Sequence, residues 1–213
     1  MTVAALTVYA VYLGVAFGVR TWVQWRRTGD TGFRGLSGRP LSAEWWAGAL
    51  FAVALAAGLL GPVLALAGSP LVGPLDHDLV AWAGLLVATV GVAATFATQL
   101  DMGTSWRIGV DAEERTELVT GGTFRYVRNP IFTAMAVTGL GLTMMVPHVV
   151  TVLGTVLLLV ALELQVRVVE EPYLSTMHGA SYAEYTAGAG RFLPGVGRLN
   201  PPVVGVPHTP NNR

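Results

Sequence analysis

The sequence predicts an all-α integral membrane protein, a bundle of about five transmembrane helices. Hydrophobic residues make up 53% of the 213 residues, and the mean hydropathy is +0.55. Only 12% are charged, about half the roughly 25% of an ordinary soluble domain. Several apolar stretches are long enough, or nearly so, to cross the roughly 30 Å of hydrocarbon in a bilayer. This is too few charged side chains to cover the surface of a soluble protein. The composition therefore predicts a membrane protein.

Five apolar stretches account for the predicted helices. They are Thr2–Val19, Trp45–Ala67, Leu79–Leu100, Pro130–Val146 and Val149–Val166. The fourth is the shortest, and Pro147-His148 leaves only a tight turn before the fifth, which predicts a helical hairpin over residues 130–166. The first stretch lacks the basic n-region and cleavage site of a signal peptide, so it is interpreted as a retained helix.

The arginines predict the orientation of this bundle. All thirteen basic residues are arginine, and in a five-helix alternation all thirteen fall on one side. The opposite side, Gly68–Asp78 and Pro147-His148, has none. The positive-inside rule then puts the N terminus outside and the C terminus in the cytosol.

Composition excludes several kinds of chemistry. The absence of cysteine excludes disulfides, thiolate nucleophiles and thiolate-bound metals. The absence of lysine excludes Schiff-base catalysis, and the zero net charge gives no basic field for nucleic acid. No histidine pair has metal-ligand spacing on one side of the membrane, so no metal site is predicted.

Polar residues concentrate in two segments that the hairpin should bring together, Asp101–Arg128 and Glu163–Arg191. At 100° per residue, Glu163, Arg167 and Glu170 share one face of helix five, with Glu171 beside them. Charges this close to the membrane interior indicate a functional site. The alternative is a snorkelling arginine held by neighbouring acids at a helix end.

Glycines inside the predicted helices indicate close packing. Gly14-x-x-x-Gly18 has the spacing that lets two membrane helices approach closely. Gly139-Leu140-Gly141 lies inside another membrane helix and is interpreted in the same way.

Three motifs in order resemble a known family. The run Leu118-Val119-Thr120-Gly121-Gly122-Thr123-Phe124-Arg125-Tyr126-Val127-Arg128-Asn129-Pro130-Ile131-Phe132 is similar to the "LVT-x-G-x-Y-x-x-x-RHP-x-Y" segment of isoprenylcysteine carboxyl methyltransferases, and related phospholipid methyltransferases carry a similar signature. Arg167–Leu174 resembles that family's "R-x-x-E-E-x-x-L". His178–Tyr185 and Arg191–Pro194 resemble its "G-x-x-Y-x-x-Y" and "R-F-x-P". The resemblance covers about residues 102–194, and the first hundred residues match only as generic membrane helices.

The resemblance implies a methyltransferase that uses S-adenosyl-L-methionine inside the membrane, on a cytosolic active site of a bacterial-type inner-membrane protein. It implies a cofactor pocket formed by short cytosolic helices and loops. The implied cofactor-binding residues are Thr116, Glu117, Leu118, Val119, Phe124, Asn129, Pro130, Ile131, Phe132 and Glu171. Arg167 falls on the family's substrate arginine, and Glu163 or Glu170 is the candidate general base for an amine acceptor. Asn129 replaces a histidine, and Phe124 and Phe132 replace tyrosines.

The sequence therefore predicts methyl transfer to a lipophilic acceptor, most readily to oxygen, with nitrogen or sulfur as alternatives. Prenylated thioether carboxylates, isoprenoid or fatty acids, amine headgroups and small thiols remain open as acceptors, with membrane lipids as surroundings. Three regions are expected: 1–100 with three helices, 101–194 as the catalytic region, and 195–213 as a flexible tail. The competing hypotheses are a small transporter with a polar path and a non-catalytic scaffold.

Overall fold

The computed structural model describes residues 1–32, 35, 38–106 and 117–199. Within these ranges the chain is helical, with no strand beyond one isolated bridge between Val127 and Gly190. The helices are α1 (Thr2–Leu13), α2 (Arg20–Thr28), α3 (Ala43–Leu66), α4 (Asp78–Asp101), α5 (Pro130–Met145), α6 (Val149–Leu164) and α7 (Glu171–Gly188). Two π-helical segments, Gly14–Val19 and Gln165–Glu170, join α1 to α2 and α6 to α7. The predicted all-helical membrane fold is confirmed.

Four continuous helical stretches of the described chain are long and apolar enough to cross a membrane: Thr2–Thr28, Ala43–Leu66, Asp78–Asp101 and Val149–Gly188. The fifth, α5, has 16 residues and is shorter than the roughly 20 that a perpendicular span needs. It still forms the expected hairpin with α6. The turn between them is held by His148, whose Nδ1 accepts from the Val150 N–H at 3.1 Å.

The first helix differs from its predicted end at Val19, because it continues as a π segment and then as α2 to Thr28. The apolar stretch ends before Arg20, but tertiary contacts keep the following residues helical. Arg20 and Gln24 are buried, and Gln24 Nε2 donates to the Thr104 carbonyl at 2.8 Å. A polar segment thus stays helical because it packs against the chain that follows α4.

The bundle is built from two helix pairs, since α4 packs along α5 and α3 packs along α6. The α4–α5 pair is close because glycine faces the backbone of its neighbour. A Cβ on Gly141 would lie 2.3 Å from the Ala88 nitrogen, and one on Gly91 would lie 2.6 Å from the Thr138 nitrogen. The expectation for Gly141 is confirmed.

The expectation for Gly14 and Gly18 is wrong in the described chain. A Cβ added at either position would meet nothing within 4 Å. Both lie in the π segment, where the wider turn displaces the glycines from the ridge that a regular small-x-x-x-small spacing would form.

The two arginine-free turns of the predicted outer side contact each other. The Val72 N–H donates to the Pro147 carbonyl at 2.8 Å, and His148 Nε2 lies 3.0 Å from Ser69 Oγ. Segments that the arginine pattern assigned to one side therefore meet at one end of the bundle. The polar segments before α5 and after α6 meet at the other end.

Candidate functional site

A cavity of about 470 Å³ lies at the end of the bundle where these polar segments meet. Its volume is within the roughly 300–1,000 Å³ of small-molecule sites. Its charged groups are Glu117, Arg128, Glu170 and Glu171, which come from residues 117–132, the π segment before α7 and the start of α7. The first helix, α3, the end of α4 and the turn after it contribute mostly apolar and aromatic side chains, among them Phe17, Phe51 and Trp106. The cavity therefore combines a few charged groups with a largely apolar lining.

The start of α5 is fixed against the chain that follows α7 by backbone hydrogen bonds. The Arg128 N–H donates to the Gly190 carbonyl at 2.8 Å, and the Gly190 N–H donates to the Tyr126 carbonyl at 3.0 Å. The Asn129 backbone N–H and side-chain Nδ2 both donate to the Arg191 carbonyl, at 3.1 and 3.0 Å. Two sequence motifs that are about sixty residues apart along the chain thus meet at one corner of the cavity.

Glu171 is held at this corner by two arginines. Arg191 donates from Nε to Oε1 at 2.8 Å and from Nη2 to Oε2 at 2.9 Å, while Arg128 Nη2 donates to Oε1 at 2.9 Å. The Arg128 side chain is only 3% exposed, and its Nη1 also donates to the Ala189 carbonyl at 2.5 Å. These charge-assisted bonds tie the start of α5, the start of α7 and the segment after α7 into one unit.

Glu171 keeps some capacity for a ligand in this arrangement. A carboxylate has about four acceptor positions, and the three arginine bonds occupy three of them. The cluster of two guanidinium groups and one carboxylate carries a net positive charge of one. Glu171 is thus first a structural anchor of the cavity and can accept one further hydrogen bond.

The nine described residues that the family resemblance assigns to the cofactor all border the cavity. They are Glu117, Leu118, Val119, Phe124, Asn129, Pro130, Ile131, Phe132 and Glu171. Thr116 lies outside the described residues. The Phe124 backbone is fixed by Tyr185, whose hydroxyl donates to the Phe124 carbonyl at 2.7 Å.

Of the three residues expected to be catalytic, Glu170 borders the cavity, and Glu163 and Arg167 are not among the described residues around it. Arg167 Nε donates to Glu163 Oε2 at 3.0 Å, and the two side chains are 56% and 47% exposed. At 100° per residue, Glu163, Arg167 and Glu170 were expected on one face of the helix. They do not share a face in the structure, because a π-helix rotates through a smaller angle per residue than an α-helix does. Glu171, which the sequence places beside that face, binds Arg128 and Arg191.

Several residues at the site carry no role in the sequence interpretation. Arg128 and Arg191 stood inside recognised motifs, but nothing in their spacing indicated that both bind Glu171. Gln99 comes from the end of α4 and also borders the cavity. Gln99 could have been identified from its position, because it is an amide side chain near the end of an apolar span. A polar side chain there needs a hydrogen-bond partner.

Comparison with known proteins finds similarity in sequence and in fold. Residues 79–181 match the family model described as phospholipid methyltransferase, which covers the chain from α4 to within α7. No curated protein matches the sequence. A solved structure described as the eukaryotic intramembrane Ras methyltransferase ICMT (isoprenylcysteine carboxyl methyltransferase) without a monobody is similar, with a TM-score of 0.59 and 14% identity. The similarity covers 92% of this chain and 70% of that chain, and at this identity it shows a shared fold. Residues 79–181 are thus similar in sequence to phospholipid methyltransferases, and the chain shares the fold of that solved structure, in agreement with the family resemblance of the motifs.

Proposed function

We propose that the protein transfers a methyl group from S-adenosyl-L-methionine to a lipophilic acceptor. The observation that carries this proposal is the single cavity bordered by all nine described residues implied for the cofactor. Its lining also includes apolar side chains of the first helix and α3, among them Phe17, Phe51 and Leu55. One space thus offers charged groups for a cofactor and an apolar lining for a lipid-like acceptor.

The residues present fit the proposed cofactor. An α-amino and α-carboxylate group needs both acceptors and donors, and Glu117, Glu171 and Arg128 border the cavity. A flat purine needs an apolar or aromatic wall, which Phe124, Tyr182 and Leu118 offer. When bound, S-adenosyl-L-methionine would supply an electrophilic methyl group for an acceptor lone pair, and the electron pair of the broken carbon–sulfur bond would stay on its sulfur.

Catalysis in such a site depends on position and on exclusion of water. The buried Arg128–Glu171–Arg191 cluster fixes the cofactor wall before any ligand binds. Glu170 borders the cavity, and Gln165 Nε2 approaches its Oε1 at 3.5 Å. For a neutral acceptor, Glu170 is the group in position to take the proton that the acceptor loses. A carboxylate acceptor has no proton to lose and needs only alignment.

We further propose that the cavity faces the cytosol of a bacterial inner membrane, with the N terminus outside. The support is the arginine asymmetry, since the arginine-free turns meet at the end of the bundle away from the cavity. A water-soluble cofactor then reaches the charged groups of the cavity from the cytosol. A lipid-like acceptor reaches its apolar lining from the membrane.

The decisive experiment is calorimetric titration of the purified protein with S-adenosylhomocysteine, followed by incubation with methyl-labelled cofactor and a total lipid extract. We expect saturable binding and transfer of label into a lipid. A protein that does not bind S-adenosylhomocysteine would favour the transporter hypothesis. Binding without transfer to any lipid would favour the scaffold hypothesis.

A further inference from the structure

The short helix α2 turns its polar side inward and its aromatic side outward. Arg20 and Gln24 are buried, whereas Trp22 and Trp25 are 56% and 51% exposed. At about 100° per residue, the two tryptophans share one side of the helix with Arg26, away from Arg20 and Gln24. We call Trp22, Trp25 and Arg26 the outer face of α2. A helix on the surface of a soluble protein has the opposite arrangement, so the outer face is suited to contact lipid.

Contacts on the inner side hold α2 in this orientation. Arg20 Nη2 donates to the Gly103 carbonyl, and Gln24 Nε2 donates to the Thr104 carbonyl at 2.8 Å. The Arg20 guanidinium carbon also lies 4.7 Å from the ring centre of Trp106, which borders the cavity. These contacts fix α2 at the cavity end of the bundle and leave its tryptophans pointing outward.

A second exposed tryptophan site lies at the same end of the bundle. Trp46, near the start of α3, is exposed, and its ring centre lies 5.0 Å from that of Trp45. The next residue, Ala47, borders the cavity. Tryptophan side chains are enriched at the headgroup level of a bilayer. Exposed tryptophans on two helices at this end place the outer face of α2 at the surface of the membrane.

Arg26 gives the outer face a positive charge. Its guanidinium carbon lies 5.4 Å from the ring centre of Trp22, and its side chain is exposed. Asp30, one helical turn further on, accepts from the Gly32 N–H at 2.9 Å. Within the described chain, neither Arg26 nor Arg27 forms an ion pair. The charge of the outer face is therefore available to an anion from outside the protein.

We propose that the outer face of α2 binds the headgroup of an anionic phospholipid. The planar guanidinium of Arg26 is suited to donate to two phosphate oxygens, and the tryptophan rings pack against the glycerol and the upper acyl chain. A zwitterionic headgroup carries a cation beside its phosphate, which unpaired arginines repel. A second copy of the chain on a two-fold axis would bring Arg26 against its own equivalent, so like charges oppose that occupant. This inference does not depend on methyl transfer.

The test is native mass spectrometry of the detergent-purified protein, titrated with phosphatidylglycerol or with phosphatidylcholine of the same acyl chains. We expect the wild-type protein to bind phosphatidylglycerol about fivefold more tightly or better, the effect of about one arginine at an anionic surface. Arg26→Gln should abolish this preference, and Arg26→Lys should restore part of it. Trp22→Leu should weaken binding of phosphatidylglycerol with the charge still in place.

Arg27→Gln is the matched control. It removes the same charge from the same turn, but from the side of α2 that lies away from the two tryptophans. It should keep most of the preference for phosphatidylglycerol. Because Trp22, Arg26 and Arg27 are exposed, the melting temperatures of these variants should stay close to that of the wild type.

Four results would overturn the inference. Equal affinity of the wild type for both lipids would show that the outer face does not select an anionic headgroup. Equal losses in Arg26→Gln and Arg27→Gln would indicate a general effect of charge and no defined site. Displacement of phosphatidylglycerol by excess inorganic phosphate would assign the site to a soluble anion, and a dimer that disappears in Trp22→Leu would assign the outer face to a second copy. Failure of the wild type to bind S-adenosylhomocysteine would remove the proposed function and leave this inference in place.

Discussion

Arg191 binds both carboxylate oxygens of Glu171, at 2.8 and 2.9 Å. The two residues are twenty positions apart and belong to different sequence motifs. Their contact closes the segment after α7 onto the start of that helix, and Arg128 adds the start of α5. The corner of the cavity where the cofactor is proposed to bind is therefore held by charged side chains in addition to backbone hydrogen bonds.

The first prediction concerns this pair. Arg191→Lys replaces a planar two-pronged donor by a point charge that cannot bond both oxygens in the same way. We expect S-adenosylhomocysteine affinity to fall by about tenfold, because Glu171 loses the two-pronged contact that joins it to the segment after α7. Calorimetry measures the affinity, and the melting temperature in detergent reports on the fold.

Arg198→Lys is the matched control, since Arg198 is an exposed arginine in the same segment. It should leave both quantities unchanged. If Arg191→Lys binds as tightly as wild type, the cofactor wall does not depend on the pair.

Much of the fold was predictable, because the positions of membrane helices follow from hydropathy. The sequence did not predict the features that depend on tertiary contacts or on π-helical segments. The end of the first helix depends on Arg20 and Gln24 reaching the turn after α4, which no local pattern encodes. The shared face of Glu163, Arg167 and Glu170 assumed regular α-helix where the chain forms a π segment.

The candidate site was predictable to the extent that motifs could be carried over. The nine described residues that are proposed to bind the cofactor came from the family resemblance and not from spacing. The partners of Glu171 could not be inferred, because Arg167 is the arginine near it in sequence, whereas its partners Arg191 and Arg128 are 20 and 43 positions away. Gln99 was missed for the opposite reason: it stands alone at the end of an apolar span with no motif around it.

The second prediction concerns helix packing. Gly141→Ala would place its Cβ 2.3 Å from the Ala88 nitrogen, so α4 and α5 must separate. We expect a loss of about 1–3 kcal/mol in stability, as for other overpacked cores, measured as a lower melting temperature in detergent. Gly14→Ala should be neutral or slightly stabilising, because that position is open and alanine is the better helix former. Equal effects of the two changes would contradict the close α4–α5 contact.

The third prediction concerns orientation. A reporter that is active only in the cytosol should be active when fused at Gly38 or at the C terminus and inactive when fused at Gly73. Gly73 lies in the arginine-free segment that contacts the α5–α6 turn. Cytosolic activity at Gly73 would contradict both the positive-inside assignment and a cytosolic opening of the cavity.

The last prediction distinguishes Glu170 from the Glu163–Arg167 pair. These residues lie at the end of α6 and in the π segment that follows it. Glu170 borders the cavity, whereas Arg167 pairs with Glu163 on an exposed surface. We expect Glu170→Gln to lower the methyl-transfer rate far more than Arg167→Ala, with S-adenosylhomocysteine affinity close to wild type in both. A fall in rate without a change in cofactor affinity identifies an interaction made with the acceptor or in the transition state.

The pair itself provides the control. Arg167→Ala leaves Glu163 without its partner, so a loss of activity in that variant alone has two explanations. The double variant Glu163→Gln with Arg167→Ala removes both charges. If Arg167→Ala lowers the rate by orders of magnitude and the double variant does not recover, Arg167 acts on the substrate as the family resemblance implies. In that event the exposed position of Arg167 describes a state that differs from the one in which methyl transfer occurs.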